Sequence, residues 1–182
     1  GDFYETFCED AETVSRELDI ALTSRSRDSS GARIPLAGVP CHAAEGYISR
    51  LIAKGYRVAV CDQIEDARHV KGIVKREVVR VVTPGTTIDE DLLSSPQARF
   101  LMAVVPGDRK NELGLSFLDL STGQFLVTAC SRDRGNGDLV SEIRRYQPAE
   151  CLLPAALADE LGDIVRTCGV VVSKTGASPG TD

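Results

Sequence analysis

Two side chains near the start of the chain have types and a spacing that can do chemistry together. In GDFYETF, residues 1–7, Phe3 and Glu5 stand two positions apart with Tyr4 between them. In a strand, positions 3 and 5 project from one face and position 4 from the other. Tyr4, with Phe7 or Cys8, is then expected to pack inward while Phe3 and Glu5 project together. A planar ring beside a hydrogen-bond acceptor suits a probe of the DNA minor groove. The ring enters between base steps at a cost of roughly a few kcal/mol, least where a pair is already faulty. Phosphates repel the carboxylate, and a base edge rewards it only where the base is loose. Intact duplex would thus meet the repulsion without the gain. The alternative from spacing alone is a core Phe3 with a solvated Glu5, and both readings stay open at this point.

Other chemistries are excluded by what the sequence lacks. There is no GxxxxGK[ST], so no P-loop ATPase is expected of these residues, and no GxGxxG occurs. The two histidines, His42 and His69, are not joined by spaced ligands, and Cys41 beside His42 is poor geometry for a shared metal. The six cysteines (8, 41, 61, 130, 151 and 168) form no CxxC pair and read as free thiols of a reducing cytoplasm.

The elements that must hold Phe3 and Glu5 follow from periodicity. EDAETVSRELDIAL (9–22) places Ala11, Val14, Leu18, Ala21 and Leu22 at helical spacing. SRSRDSSGAR (24–33) is a polar loop, and IPLAGVP (34–40) a short strand or extended connector. HAAEGYISRLIAKG (42–55) is an amphipathic helix through Tyr47, Ile48, Leu51 and Ile52, closed by Gly55. YRVAVCDQI (56–64) reads as a buried strand and 65–72 as a loop. IVKREVVRVVT (73–83) reads as a long strand whose period of two puts Arg76 and Arg80 on the face of Val78 and Val82.

Past a linker-like stretch (84–100) the pattern changes. FLMAVV (100–105), ELGLSFLDL (112–120) and GQFLVTAC (123–130) predict three consecutive antiparallel strands. A helix over 138–147, a strand at 150–154, a helix over 156–168 and a strand at 170–174 follow, with a polar tail after them. The order β-β-β-α-β-α-β implies a mixed sheet with helices packed on it, as in the ribonuclease H-like fold. A nuclease of that fold needs carboxylates on its first strand, the following helix and its fourth strand to hold two metal ions. LMAVV and CLLP carry none, and Asp119 with Glu142 are too few.

Composition is that of an ordinary globular chain: 42% hydrophobic and 26% charged over 182 residues. No apolar run approaches the roughly 20 residues of a membrane span, no signal-peptide pattern opens the chain, and no membrane partner is expected. The net charge of -6 has the wrong sign for a generic nucleic-acid binder, but the charge is segregated. Residues 25–80 carry eleven Lys or Arg against six acids, between two acidic flanks. A basic middle of this kind suits a phosphate-facing patch.

GDFYETF with EDA, then IPLAGVPCHAAEGYISRLIAKGYRVAVCDQIED, then KREVVRVVTPGT closely resemble the amino-terminal mismatch-recognition domain of the MutS DNA mismatch-repair family. The resemblance runs over residues 1–93. After a linker at 94–99, residues 100–182 resemble the family's connector domain, incomplete at this length. The fold implied is α/β in two domains, a mixed-sheet recognition domain and a truncated ribonuclease H-like connector. FYE at 3–5 matches the family's Phe-x-Glu motif, which implies that Phe3 stacks on a mispaired base and Glu5 hydrogen-bonds to it. Arg76 aligns with a DNA-contacting arginine, and Arg25 and the Pro35–Leu36 segment with DNA-facing positions.

The resemblance further implies double-stranded DNA with mismatches or small loops as partner, homodimers of the full-length protein, a MutL-type partner and a cytoplasmic, nucleoid-associated location. The family's ATP and Mg belong to parts not present here, so no cofactor and no enzyme activity are expected of these residues. The contrary functional reading is a protein-interaction and allosteric scaffold without autonomous DNA binding. A buried Phe3 ring would favour that reading.

Overall fold

The structure, a computed structural model, describes residues 2–65, 74–86, 99–109, 111–132 and 135–176. They divide into two compact units, Gly1–Val82 and Thr83–Asp182. The loop expected at 65–72, the linker expected at 94–99 and the polar tail fall outside the described residues, except for Glu65, Arg99 and the first residues of the tail.

The first unit opens with strand β1 (Phe3–Phe7), which runs straight into helix α1 (Cys8–Leu18). The switch costs a left-handed φ of 54° at Cys8, whose N–H donates to the Pro35 carbonyl. Glu9 and Asp10 occupy the first turn, where the helix dipole favours acids. Ala11 and Leu18 are its buried contacts. The helix ends at Leu18, short of the Leu22 that the periodicity predicts. Asp19 adopts a left-handed cap at φ 56°, and Leu22 stands exposed beyond it.

Strand β2 (Leu36–Pro40) pairs antiparallel with β1, in the register Phe3↔Pro40, Glu5↔Gly38, Phe7↔Leu36. The polar stretch before it is a closed turn. Asp28 Oδ1 accepts from the Ser30 hydroxyl and from the Ser30 and Ala32 N–H groups, bonds that hold its carboxyl below the usual range. A short 3₁₀ turn (Cys41–Ala43) leads to α2 (Ala44–Ala53), which buries Ala44, Ile48, Leu51 and Ile52 and ends before Gly55 at φ 87°. Tyr47 is only half-buried.

Strands β3 (Val58–Gln63) and β4 (Arg76–Val82) form an antiparallel pair. Two expectations are corrected here. Only Val60 of β3 is buried, so the strand is not an interior one. Val60 pairs with Arg80 but Cys61 with Val78, which leaves Val79 as the extra residue of a β-bulge. Paired residues share a face. Arg80 therefore lies on the face of Val60 and Arg76 on the opposite one, with Cys61 and Gln63. The simple period of two fails at the bulge.

The second unit is built on one five-stranded sheet in the order β7-β6-β5-β8-β9. Its strands are β5 (Phe100–Pro106), β6 (Glu112–Asp119), β7 (Gln124–Ser131), β8 (Glu150–Pro154) and β9 (Val171–Thr175). The first three are consecutive antiparallel neighbours, and β8 and β9 add parallel on the other side of β5. This is the mixed arrangement expected. One face, through Met102, Val104, Leu113, Leu115 and Phe117, packs on helices α3 (Gly137–Tyr146) and α4 (Ala155–Thr167). Phe100, Phe117 and Tyr146 meet there as a ring cluster with Phe100 edge-on to both others.

The fourth strand does carry an acid, Glu150 at its first residue. The nuclease reading still fails on geometry. Asp119 pairs with Phe100 on the helix-covered face, whereas Glu150 pairs with Leu101 on the other face. Glu150 is buried, its Oε1 accepting from Ser173 Oγ at 2.6 Å and its Oε2 from the Gly85 N–H at 3.0 Å.

All six cysteines are free thiols, but they differ in exposure. Burial, and then the neighbouring Glu150, push the Cys151 thiol up to about 12. At pH 8 almost none of it is thiolate, the nucleophilic form. Iodoacetamide should therefore label exposed Cys8, Cys41 and Cys61 in the native protein. Cys151 should label only once the second unit is unfolded, which peptide mass mapping with and without denaturant will show.

Candidate nucleic-acid interface

β1 sorts its side chains by alternation. Phe3, Glu5 and Phe7 lie on the exposed face, with Phe3 at 52% exposure and Phe7 at 50%. Tyr4 and Thr6 turn the other way. The Tyr4 hydroxyl donates to Asp62 Oδ1 at 2.8 Å, which raises the phenol pKa, and Thr6 Oγ1 donates to the Ala37 carbonyl. The expectation that Phe7 or Cys8 packs inward with Tyr4 is corrected. Phe7 has the parity of Phe3, and Cys8 is exposed at the strand–helix junction.

What holds the pair is across the ladder. Gly38 lies opposite Glu5, and a Cβ there would sit 3.4 Å from Phe3 Cδ1 and 3.6 Å from Glu5 Cγ. Both side chains thus lean over a position that offers no side chain of its own. An alanine meets only ordinary van der Waals contact, whereas the second and third carbons of a valine need space the ring occupies. Gly38→Val should lower any preference of the full-length protein for mispaired over matched duplex by on the order of tenfold, as loss of the ~1–3 kcal/mol of one base stacked on an aromatic ring would. Gly38→Ala should lower it little. Binding titrations of both variants on both duplexes check this.

Glu5 is not free. Arg25 Nη1 donates to its Oε1 at 2.9 Å. Arg25 sits in the turn between the Thr23↔Leu36 and Arg27↔Arg33 bridges and is itself largely exposed. Arg76 stands on β4. With Phe3, Glu5, Phe7, Gly38 and Cys61 it lines one cleft of about 400 Å³ within the first unit. Arg80, by contrast, is paired with Glu45 at 2.6 Å on the other face of its strand.

Of the residues expected to face DNA, Phe3 and Glu5 share a strand face, Arg25 bonds to Glu5, and Arg76 lines the same cleft as Phe3 and Glu5. Leu36 differs: it pairs with Phe7 and so belongs to the strand face of Phe3 and Glu5, but at 6% exposure its side chain is buried and not presented to solvent as expected. Gly38 and the Arg25–Glu5 bond were invisible to sequence reasoning, because each depends on which residues the β1–β2 register and the 24–33 turn place together.

No GxxxxGK[ST] occurs in the sequence, and among the described residues no group of three or more His, Cys, Asp or Glu could hold a metal ion. No helix among them is long and apolar enough to cross a membrane.

Comparison with known proteins gives these residues their context. The family model described as MutS domain I matches residues 1–91, and that described as MutS domain II matches residues 99–178. A DNA mismatch repair protein MutS of Methanosarcina mazei is 53% identical over 167 residues, covering 86% of this chain and 18% of that protein. Those of Symbiobacterium thermophilum and Pelotomaculum thermopropionicum are 46% and 44% identical, over 95% and 94% of this chain. The chain spans about a fifth of the length of these relatives, 18–20%. With one family domain matched to each half of the chain, and relatives identical at about every second position, the chain belongs to the MutS family and comprises its domains I and II.

Proposed function

We propose that the first unit recognises mispaired or unpaired bases in double-stranded DNA, with Phe3 as a wedge from the minor groove and Glu5 as the group that tests the loosened base. The observation that carries this is the 52% exposure of the Phe3 ring on the same strand face as Glu5. A large apolar ring held half in water gains nothing for the fold, while stacking on a base rewards it. Arg76 supplies positive charge at the same cleft and meets the phosphate backbone. The exposure of Phe3 speaks for this reading and against a scaffold that has lost its probe.

The second unit is the connector of the full-length protein. Homodimer formation, a MutL-type partner and ATP-dependent steps are assigned to the full-length protein, not to these residues. With a net charge of -6 and one lobe of the interface, the isolated chain binds DNA weakly and loses it readily with added salt. The test is a salt-titrated comparison of G·T and matched duplexes, for this chain and the full-length protein side by side. A G·T preference in the full-length protein that persists as salt weakens both duplexes is expected. Equal affinities at every salt concentration would reject the proposal.

A further inference from the structure

We propose that Arg25 is a positioning residue for Glu5, one that decides mispair specificity by holding one carboxylate oxygen so that the other meets the base edge; this rests on the reading of Phe3 and Glu5 given above. The hydrogen bond is 2.9 Å and engages Oε1. The turn that carries Arg25 is itself fixed. Thr23 and Leu36 exchange two backbone bonds of 2.8 Å, and the Ile34 N–H donates to the Ser26 carbonyl at 3.0 Å. Arg25 therefore reaches Glu5 from a closed framework anchored to β2, the strand that carries Gly38.

The charge argument points the same way. A lone carboxylate brought to the duplex meets phosphate repulsion on matched and mispaired DNA alike. Paired with a guanidinium it forms a near-neutral unit that approaches without that general penalty and keeps one oxygen to accept from a base N–H. Surface ion pairs contribute little to folding stability, so the bond between an arginine 73% exposed and Glu5 is not explained by the fold. Holding the reading group in one orientation before DNA arrives is a role for which this geometry is sufficient.

The competing role for Arg25 is a direct phosphate contact, and the two roles differ in what a double-mutant cycle reads. The full-length protein, Arg25→Ala, Glu5→Ala, the double variant, Arg25→Lys and Phe3→Ala are each titrated with G·T and matched duplexes over a salt series. Positioning predicts that Arg25→Ala lowers the G·T-to-matched affinity ratio by about five- to tenfold when Glu5 is present and not at all in the Glu5→Ala background, a coupling of about 1 kcal/mol. Arg25→Lys, which keeps the charge and an N–H donor for Glu5, should restore most of the ratio.

Equal weakening on both duplexes, with the salt slope reduced by about one and the ratio unchanged, marks a phosphate contact and overturns the proposal. So does a loss of ratio that is the same with and without Glu5. The Phe3→Ala protein separates the failures. A collapsed ratio there with an unaffected Arg25→Ala removes only the positioning role, whereas an unaffected Phe3→Ala removes the underlying recognition site.

Discussion

Phe3→Ala in the full-length protein should abolish preference for mispaired DNA while leaving the fold intact. The ring is half in water and lies on the face of β1 away from Tyr4 and Thr6, which supply that strand's inward contacts. Truncating it leaves no cavity, and surface changes of this kind stay within about 0.5 kcal/mol of the parent stability. Stacking of one base on an aromatic side chain is worth ~1–3 kcal/mol. Its loss should lower affinity for a G·T duplex by about tenfold or more. Matched duplex, which does not admit the wedge, should change far less. Affinity titrations paired with a melting curve check both halves, and a melting curve that collapses with binding would assign Phe3 to the core instead.

The second large effect is one of stability, in the second unit. Glu150 is 2% exposed, and each of its oxygens has a hydrogen-bond donor. The Gly85 side of this arrangement has no slack. A Cβ at Gly85 would stand 2.8 Å from Leu101 Cδ1 and 2.9 Å from Glu150 Cβ. The carboxylate thus pins the Thr83–Thr86 turn, closed by the Thr86 N–H to the Thr83 carbonyl, onto the sheet beside β5 and β9. Glu150→Ala leaves a cavity and deprives a buried hydroxyl and a buried N–H of their acceptor. A loss of roughly 2–4 kcal/mol is expected, or about 10–20 °C in the melting of a unit this size.

Glu150→Gln is the informative control. Its amide oxygen can take the Gly85 N–H while its NH₂ donates to the Ser173 hydroxyl, so most of the stability should return. Calorimetry of the three proteins tests this. If alanine and glutamine are equally mild, the pinning role is refuted.

What the sequence made legible was whatever depends on local period. The strand alternation at Phe3 and Glu5, the apolar stripe of α2 and the three consecutive strands β5–β7 all appear as spacing, and all are found. What it hid are facts of register and tertiary approach. The extra residue at Val79 puts Arg76 and Arg80 on opposite faces, and no composition signal marks a bulge between similar valines. Leu36 stands in a proline-bracketed segment that reads only as a short strand or connector, yet its side chain is buried. The stop of α1 at Asp19 overrides a hydrophobic period that continues to Leu22. Glu150 opens the strand read at 150–154, and nothing in the sequence shows that Ser173 and Gly85 are brought to it. At the candidate site the same division holds: Phe3, Glu5 and Arg25 stand out in the sequence, whereas Gly38 opposite Glu5 and the Arg25–Glu5 bond do not.

The central claim is that the Phe3 ring lies against the faulty base itself. A photo-crosslink reads that contact directly. A duplex carrying 5-iodouracil at the mispaired position is irradiated with the full-length protein, and the adduct is mapped by mass spectrometry. A dominant crosslink on the peptide containing Phe3, absent from the matched duplex and lost in Phe3→Ala, is the expected result. A crosslink of equal yield on matched DNA, or one that maps away from β1, would contradict the account.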